Sequence, residues 1–81
     1  MRLDVFLKKT LILKKRSDTK RLCSVGLIKV NGTIAKPAKE VKVDDLIEIE
    51  TIKGVNKYRI IMLPEGNVRK NEVSLYYEVL N

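Results

Sequence analysis

Apolar residues in the first part of the chain recur at the spacing of one buried helix face. They follow the pattern i, i+3, i+4 and i+8 at Leu3, Phe6, Leu7 and Leu11. We therefore expect a helix over residues 2–13. A second helix is expected from Ser17, a favourable N-cap residue, to about Val25, with Gly26 as its C-terminal stop. Both helices are too short to be stable alone, so they must pack on each other and on a further element.

The middle of the chain shows the two-residue alternation of β-strands. Residues 27–30 form a short run that leads into Asn31-Gly32, the strongest hairpin-turn signal in the chain. Residues 46–52 form the clearest strand, because isoleucines and glutamates alternate there and so lie on opposite faces. The pattern predicts a sheet against which the two helices pack.

The last third of the chain is less regular. The sequence predicts a turn at residues 54–56 and a further strand at residues 58–63. The apolar spacing near the end suits either a short helix over residues 69–77 or an extended segment. The order of elements predicts one α+β domain over residues 1–81. We expect two short N-terminal helices packed on a small, mainly antiparallel sheet, with a short C-terminal helix or extended tail.

Charge is distributed unevenly along this sequence. The chain has a net charge of +7, from 17 Lys/Arg and 10 Asp/Glu. Residues 1–39 hold 11 basic and 2 acidic residues, a net of +9, whereas residues 40–81 hold 6 and 8, a net of −2. Such a split favours one positive face, whose natural partners are polyanions: nucleic acid first, and an anionic membrane second.

The residue types present exclude several chemistries. Histidine is absent and Cys23 is the single cysteine, which removes Ser–His and Cys–His pairs, internal disulfides and most zinc sites. We interpret Cys23 as a small buried hydrophobe. The close pair Asp44-Asp45 has no visible acid–base partner. We expect no catalytic residue, no metal and no cofactor. With neither an apolar run of about 18 residues nor a signal-peptide pattern, the cytoplasm is the expected location.

Several short motifs recur in one known family. They are Arg2-Leu3-Asp4, Phe6-Leu7, Arg16-Ser17, Gly26, Ile28, Val30-Asn31-Gly32, Lys36-Pro37, Val41, Asp45, Ile47 and Ile49. Over residues 2–50 the chain resembles the S4 RNA-binding domain, whose fold is called the alpha-L RNA-binding motif. Thr19 stands where the family usually has a small residue between the two helices, and Asp44 stands where it usually has Gly. Because Asp tolerates left-handed backbone, we expect that turn to survive.

The basic stretch around the start of the second helix is the predicted RNA-binding surface. Arg16 and Lys20 lie one helical turn apart and so share a face, and the backbone N–H groups at Ser17 suit an anion. We expect Asp4 to orient the Arg2 side chain or to cap the first helix. Alternatively, Arg2 could form an ion pair with Asp4 or another acidic residue and not contact RNA. Lys8 and Lys9 are interpreted as solvated helix surface. The candidate RNA-binding residues are Arg2, Lys14, Lys15, Arg16, Lys20, Arg21, Lys29, Asn31 and Lys36.

The resemblance also implies partners. As a short free-standing domain, the chain is similar to two bacterial ribosome-associated groups, the ribosome quality control P proteins and the fifteen-kilodalton heat-shock proteins. The first implies binding to rRNA of the large ribosomal subunit and to peptidyl-tRNA on obstructed subunits, in support of C-terminal tailing by an RqcH-like tailing factor. The second is the alternative, which the chain resembles less because its members are longer and have a basic tail, and it implies recycling of large subunits that carry a nascent chain. Either role holds tRNA by binding, and we expect a monomer, not an enzyme.

Two other classes of function stay open from the residues. A general rRNA/tRNA-binding or protein-adaptor module with a small β-grasp-like sheet would also fit the size, although a sulfur carrier should end in Gly-Gly and this chain ends in Leu80-Asn81. A detached domain of an RNA-modifying enzyme is the other alternative. Neutralising Lys14, Lys15 and Arg16 would leave an adaptor's partner bound and would release RNA.

Overall fold

Residues 1–80 are described by a computed structural model, and they form the expected α+β arrangement. The elements are α1 (Leu3–Lys9), α2 (Arg16–Ser24), β1 (Ile28–Val30), β2 (Thr33–Ile34), β3 (Leu46–Thr51), β4 (Gly54–Ile60), a 3-10 helix (Lys70–Leu75) and β5 (Tyr77–Val79). The strands form one antiparallel sheet in the order β2-β1-β3-β4-β5. One face of this sheet packs on the two helices.

The first helix is shorter than its apolar pattern predicts. It ends at Lys9, not at residue 13, and Leu11 has a φ of +60°. The Thr10 hydroxyl donates to the carbonyl oxygen of Phe6 at 2.8 Å, a local bond that competes with continued helix. As a consequence Leu11 leaves the core stripe, and 42% of it is exposed.

The second helix begins one residue before the predicted start. Its N-cap residue is Lys15, no side chain caps it, and Arg16 is already helical. The predicted N-cap role of Ser17 is therefore wrong, because Ser17 lies within the first turn. The predicted stop is confirmed: the helix ends at Ser24, and Gly26 takes a φ of +75° that most other residues would resist.

Turn chemistry determines the first hairpin. Asn31 and Gly32 have φ values of +51° and +83°, as a two-residue type I′ turn requires. The Asn31 side chain also holds the start of β3: its oxygen accepts from the Leu46 N–H at 2.9 Å, and its amide donates to Asp45 at 3.0 Å. Asp44 takes a φ of +75°, so the turn expected to survive at that position is present.

The second hairpin corrects one prediction. Residues 54–56 are not a turn, because they pair with β3 as the start of β4. Thr51 and Gly54 are the last paired residues, which leaves a two-residue loop at Ile52 and Lys53. Thr51 strengthens this end by donating its hydroxyl to the carbonyl oxygen of Gly54 at 2.9 Å. Gly54 therefore belongs to the paired strand β4, and the turn forms at residues 52–53.

The C-terminal segment contains both of the alternatives that the sequence left open. A 3-10 helix comes first, and the extended β5 then pairs with β4 along Tyr58–Val79, Arg59–Glu78 and Ile60–Tyr77. The rings of Tyr58 and Tyr77 meet edge to face with centroids 5.5 Å apart. Since β5 is the last strand in the order, this segment forms one edge of the sheet.

The core lies between α1, α2 and the sheet. Its fully buried apolar residues are Leu3, Phe6, Leu7, Ile28, Ile47 and Ile60. Cys23 is also buried, as predicted. Thr19 is fully buried, and its hydroxyl finds no hydrogen-bond partner among residues 1–80. No helix in this part of the chain is long and apolar enough to cross a membrane.

Candidate RNA-binding surface

A buried carboxylate organises the N-terminal end of this surface. Asp4 lies in the first turn of α1, and only 6% of its side chain is exposed. The Arg2 guanidinium meets it with two parallel bonds, from Nε to Oδ1 at 3.2 Å and from Nη2 to Oδ2 at 3.1 Å. This two-pronged geometry fixes both the position and the plane of the guanidinium.

The same carboxylate also holds an arginine from the second helix. Nη2 of Arg16 donates to Oδ2 of Asp4 at 3.1 Å. The start of α2 is thereby tied to the start of α1, 12 residues earlier in the chain. The side chains of Arg2 and Arg16, the arginine pair, are 48% and 52% exposed, so each keeps N–H donors that face solvent. Two sequence-predicted residues are thus brought together.

Electrostatics keep the Asp4 carboxyl charged. Burial alone raises the pKa of Asp4, but hydrogen bonds from Arg16 and Arg2 and their positive charges outweigh it. The net effect lowers the pKa of Asp4 below its ordinary value of 3.8. At neutral pH the site therefore consists of one anion between two cations, which retains one positive charge.

Lysines surround the arginine pair without being neutralised. Lys14, Lys15 and Lys20 are exposed, and none forms an ion pair with another residue in the described range 1–80. Because α2 is continuous from residue 16, Lys20 lies one turn from Arg16 as expected. Arg21 differs, since its guanidinium approaches the Asp18 carboxylate at 3.5 Å. We call Arg2, Lys14, Lys15, Arg16 and Lys20 the helical face.

The remaining three predicted residues lie on elements other than the two helices. Lys29 alternates with the buried Ile28 and Val30, so its side chain lies on the side of the sheet away from the helices. The Asn31 side chain is engaged by the turn and by Asp45. Lys36 is exposed in the loop after β2, and the Asp4 N–H donates to the carbonyl oxygen of the next residue, Pro37, at 3.1 Å. The sheet therefore turns Lys29 away from the arginine pair and the turn engages Asn31, whereas the loop of Lys36 borders the start of α1.

Lys8 and Lys9, which were interpreted as solvated helix surface, lie next to the segment that precedes the 3-10 helix. Lys9 donates its ammonium to the carbonyl oxygen of Gly66 at 2.8 Å, which ties α1 to the segment before the 3-10 helix. Lys8 and Arg16 line a groove of about 440 Å³ between α1 and that segment. No sequence signal identifies these neighbours, because Lys9 and Gly66 are 57 residues apart.

Comparison with known proteins identifies the fold family. Residues 1–47 match the S4 domain, more than half of the chain. The chain belongs to the S4 domain family. This confirms the resemblance expected from Arg2-Leu3-Asp4 and Val30-Asn31-Gly32. The arginine pair of this S4 domain lies wholly within the matched segment.

Relatives resemble the chain over almost its whole length. A protein of Helicobacter pylori strain J99 is 39% identical over 94% of this chain and 92% of its own. One from Halalkalibacterium halodurans is 40% identical over 98% and 89%, and one from Streptococcus pneumoniae strain R6 is 35% identical over 100% and 91%. All three carry the name RQC P-site tRNA stabilizing factor.

Two solved structures share the S4 architecture. A structure titled as hypothetical protein HP1423 has a TM-score of 0.85 and 35% identity, covering 100% of this chain and 98% of that chain. Trimeric Heat Shock Protein 15 of Vibrio cholerae has a TM-score of 0.87 over 99% of this chain and 81% of that chain. At 24% identity, the second likeness concerns the fold.

The arrangement of the arginine pair on this S4 domain suits anion binding. Within residues 1–80, no group of His, Cys, Asp or Glu residues is arranged to hold a metal ion. Burial raises the pKa of the Cys23 thiol, and the nearby Asp4 charge acts in the same direction. That thiol is therefore protonated at neutral pH and is a poor nucleophile.

Proposed function

We propose that this protein binds rRNA of the large ribosomal subunit together with tRNA, and stabilises P-site tRNA on obstructed subunits during ribosome quality control. The observation that carries the proposal is the arginine pair held on one buried carboxylate, within a cluster of lysines that the protein does not neutralise. The shared name of relatives that match nearly the whole chain supports the ribosomal setting.

The arginine pair would act as a preset clamp for phosphate. Asp4 uses one edge of each guanidinium, and the remaining donors can bind phosphate oxygens. Because the side chains are already ordered, less conformational entropy is lost when RNA binds. Lys14, Lys15 and Lys20 would add charge along the same ridge. Such a surface recognises backbone shape more than base sequence.

Base stacking contributes little to this proposal. Phe6 is fully buried in the core, Tyr58 and Tyr77 lie in the sheet, and Tyr76 packs against the core. No aromatic side chain therefore belongs to the helical face, unlike the stacking platforms of single-strand-binding proteins. The protein would hold RNA in place and perform no reaction on it.

The finer features of the proposal follow from the same role. We propose one domain over residues 1–81 that acts as a monomer in the cytoplasm, at the ribosome. An RqcH-like tailing factor would be its partner on the same subunit. Non-catalytic binding is supported because the buried apolar side chains form the packed core and the Asp4 carboxylate is hydrogen-bonded to both arginines.

The direct test is binding to purified large subunits with and without P-site tRNA. We expect Arg16→Ala to weaken binding about tenfold, the effect of losing one charge-assisted contact. Arg59→Ala is the matched control, because it removes the same charge from the opposite side of the sheet, where Arg59 pairs with Asp44 at 2.8 Å. Equal binding by wild type and Arg16→Ala would remove the arginine pair from the proposal.

A further inference from the structure

The groove beside the arginine pair has the composition of a small binding site. Its volume of about 440 Å³ lies within the range of roughly 300–1,000 Å³ typical of ligand pockets. Val5, Leu11 and Val68 line it with apolar surface, whereas Lys8 and Arg16 supply positive charge. Aliphatic walls and cations in one concavity suit a ligand that is flat and apolar at one end and anionic at the other.

The end of α1 places a large apolar side chain, Leu11, in this groove. Its φ of +60° is a strained backbone conformation for a large side chain. The core gains little from that strain, since 42% of Leu11 remains exposed. Instead the left-handed turn directs Leu11 into the wall of the groove. The same conformation ends α1, because the Leu11 N–H donates to the carbonyl oxygen of Lys8 at 3.0 Å and the Leu13 N–H to that of Leu7 at 3.1 Å.

The opposite wall is held in place by α1 itself. Lys9 donates to the carbonyl oxygen of Gly66 at 2.8 Å, immediately before the wall residues Asn67 and Val68. Asn67 adds an exposed amide, with one donor and one acceptor group. A specific hydrogen bond therefore holds together the two walls of the groove, which come from distant parts of the sequence.

We propose that this groove accepts one unpaired nucleotide of the bound RNA. The base would lie against Leu11 and Val68, its edge would face the Asn67 amide, and its phosphate would lie between Lys8 and Arg16. The inference rests on the proposed RNA-binding function and adds a contact to it: the arginine pair follows the backbone, and the groove selects a base that has left the stack. RNA-binding proteins commonly contact such splayed bases.

The test compares two RNA hairpins that differ by one unpaired adenosine. Wild type is expected to bind the bulged hairpin about fivefold more tightly than the fully paired one, the effect of removing a few tens of Å² of apolar surface from water. Leu11→Asn should abolish this preference while leaving binding to the paired hairpin unchanged. Asn adopts left-handed backbone more readily than Leu, so this variant is expected to fold at least as well.

Two further variants control the result. Val68→Asn changes the other wall and should also abolish the preference. Ile52→Asn makes the same kind of change at a fully exposed turn residue away from the groove and should retain it. The proposal is overturned if wild type binds the two hairpins equally or not at all, or if a folded Leu11→Asn variant keeps the preference.

Arg2→Ala separates this proposal from the proposed function. Arg2 does not line the groove, so its loss should weaken both hairpins equally and keep their ratio. If Arg2→Ala leaves both affinities unchanged, the clamp account fails while the bulge preference can still hold. If Arg2→Ala weakens both hairpins but Leu11→Asn keeps the preference, only the groove proposal fails.

Discussion

The helical face and the outer side of the sheet carry the same kinds of charge in different arrangements. On the sheet, Arg59 lies between two acidic groups, at 2.8 Å from Asp44 and 3.4 Å from Glu78. Lys29 lies opposite Glu48 across a strand pair. On the helical face, a single carboxylate is shared by two arginines, and the neighbouring lysines have no anionic partner in residues 1–80. On the outer side of the sheet Arg59 is neutralised by its neighbours, whereas the helical face leaves its lysines for a ligand.

This comparison distinguishes the number of cations on a surface from their availability to a ligand. Exposed ion pairs such as those of Arg59 contribute little stability. Their opposite charges largely cancel, so they attract an approaching anion only weakly. Asp4 acts differently, because it is buried and orients two guanidiniums without cancelling both. The comparison predicts that RNA affinity depends on positioned cations on the helical face and hardly at all on cations of the outer sheet.

The largest expected effect follows from removing the arginine pair. Arg2→Ala/Arg16→Ala should weaken binding to large subunits about a hundredfold, since each charge-assisted contact contributes about a factor of ten. The matched control, Lys29→Ala/Lys57→Ala, removes two charges from the outer sheet and should change affinity less than threefold. Equilibrium binding at fixed salt measures both. Similar losses in the two double variants would show that only total charge matters.

A smaller effect is expected from the lysines that precede α2. If wild type contacts about five phosphates, log K should fall with log salt at a slope of about −3.5 to −4.5. Lys14→Ala/Lys15→Ala should make that slope shallower by about 1.4 to 1.8, which is two phosphate contacts. The measurement is a salt titration of RNA binding. An unchanged slope would place these lysines outside the contact.

The smallest expected effect concerns acid stability. The pKa of Asp4 is lowered in the folded protein, so its ionised form stabilises the fold above the unfolded pKa, and this contribution is lost as pH falls through the folded value. Below about pH 4, the free energy of unfolding of wild type should fall more steeply than that of Asp4→Asn. Urea unfolding at several pH values tests this. Parallel curves would mean that Asp4 is not preferentially stabilised as a carboxylate.

Local sequence signals predicted much of this fold. Asn31-Gly32 requires a type I′ turn, and the alternation at Ile47 and Ile49 determines which face of β3 is buried. The end of α1 could not be predicted in the same way, because Leu11 continues the apolar stripe. Its departure depends on a side-chain bond from Thr10 and on neighbours far along the chain.

The sequence indicated candidate residues for the site but did not indicate their geometry. The charge split and Arg2-Leu3-Asp4 indicated Arg2 and Arg16, but nothing in the sequence shows that both share one carboxylate across 12 residues. Lys29 was predicted to bind RNA because it is a basic residue near a turn. The alternation of side chains along β1 directs it instead to the face of the sheet away from the helices. The role of Lys9 depends on a contact with Gly66 that only the folded chain creates.

The most direct test of the central claim compares two variants with identical net charge. Asp4→Asn and Asp44→Asn each raise the net charge from +7 to +8 and each remove a partner of an arginine. Asp44→Asn should leave RNA affinity unchanged or slightly higher. Asp4→Asn should weaken it about fivefold to tenfold, because the arginine pair loses its anchor, and should lower the free energy of unfolding by about 1–3 kcal/mol. If both variants bind more tightly than wild type while folded, net charge governs binding and the account is contradicted.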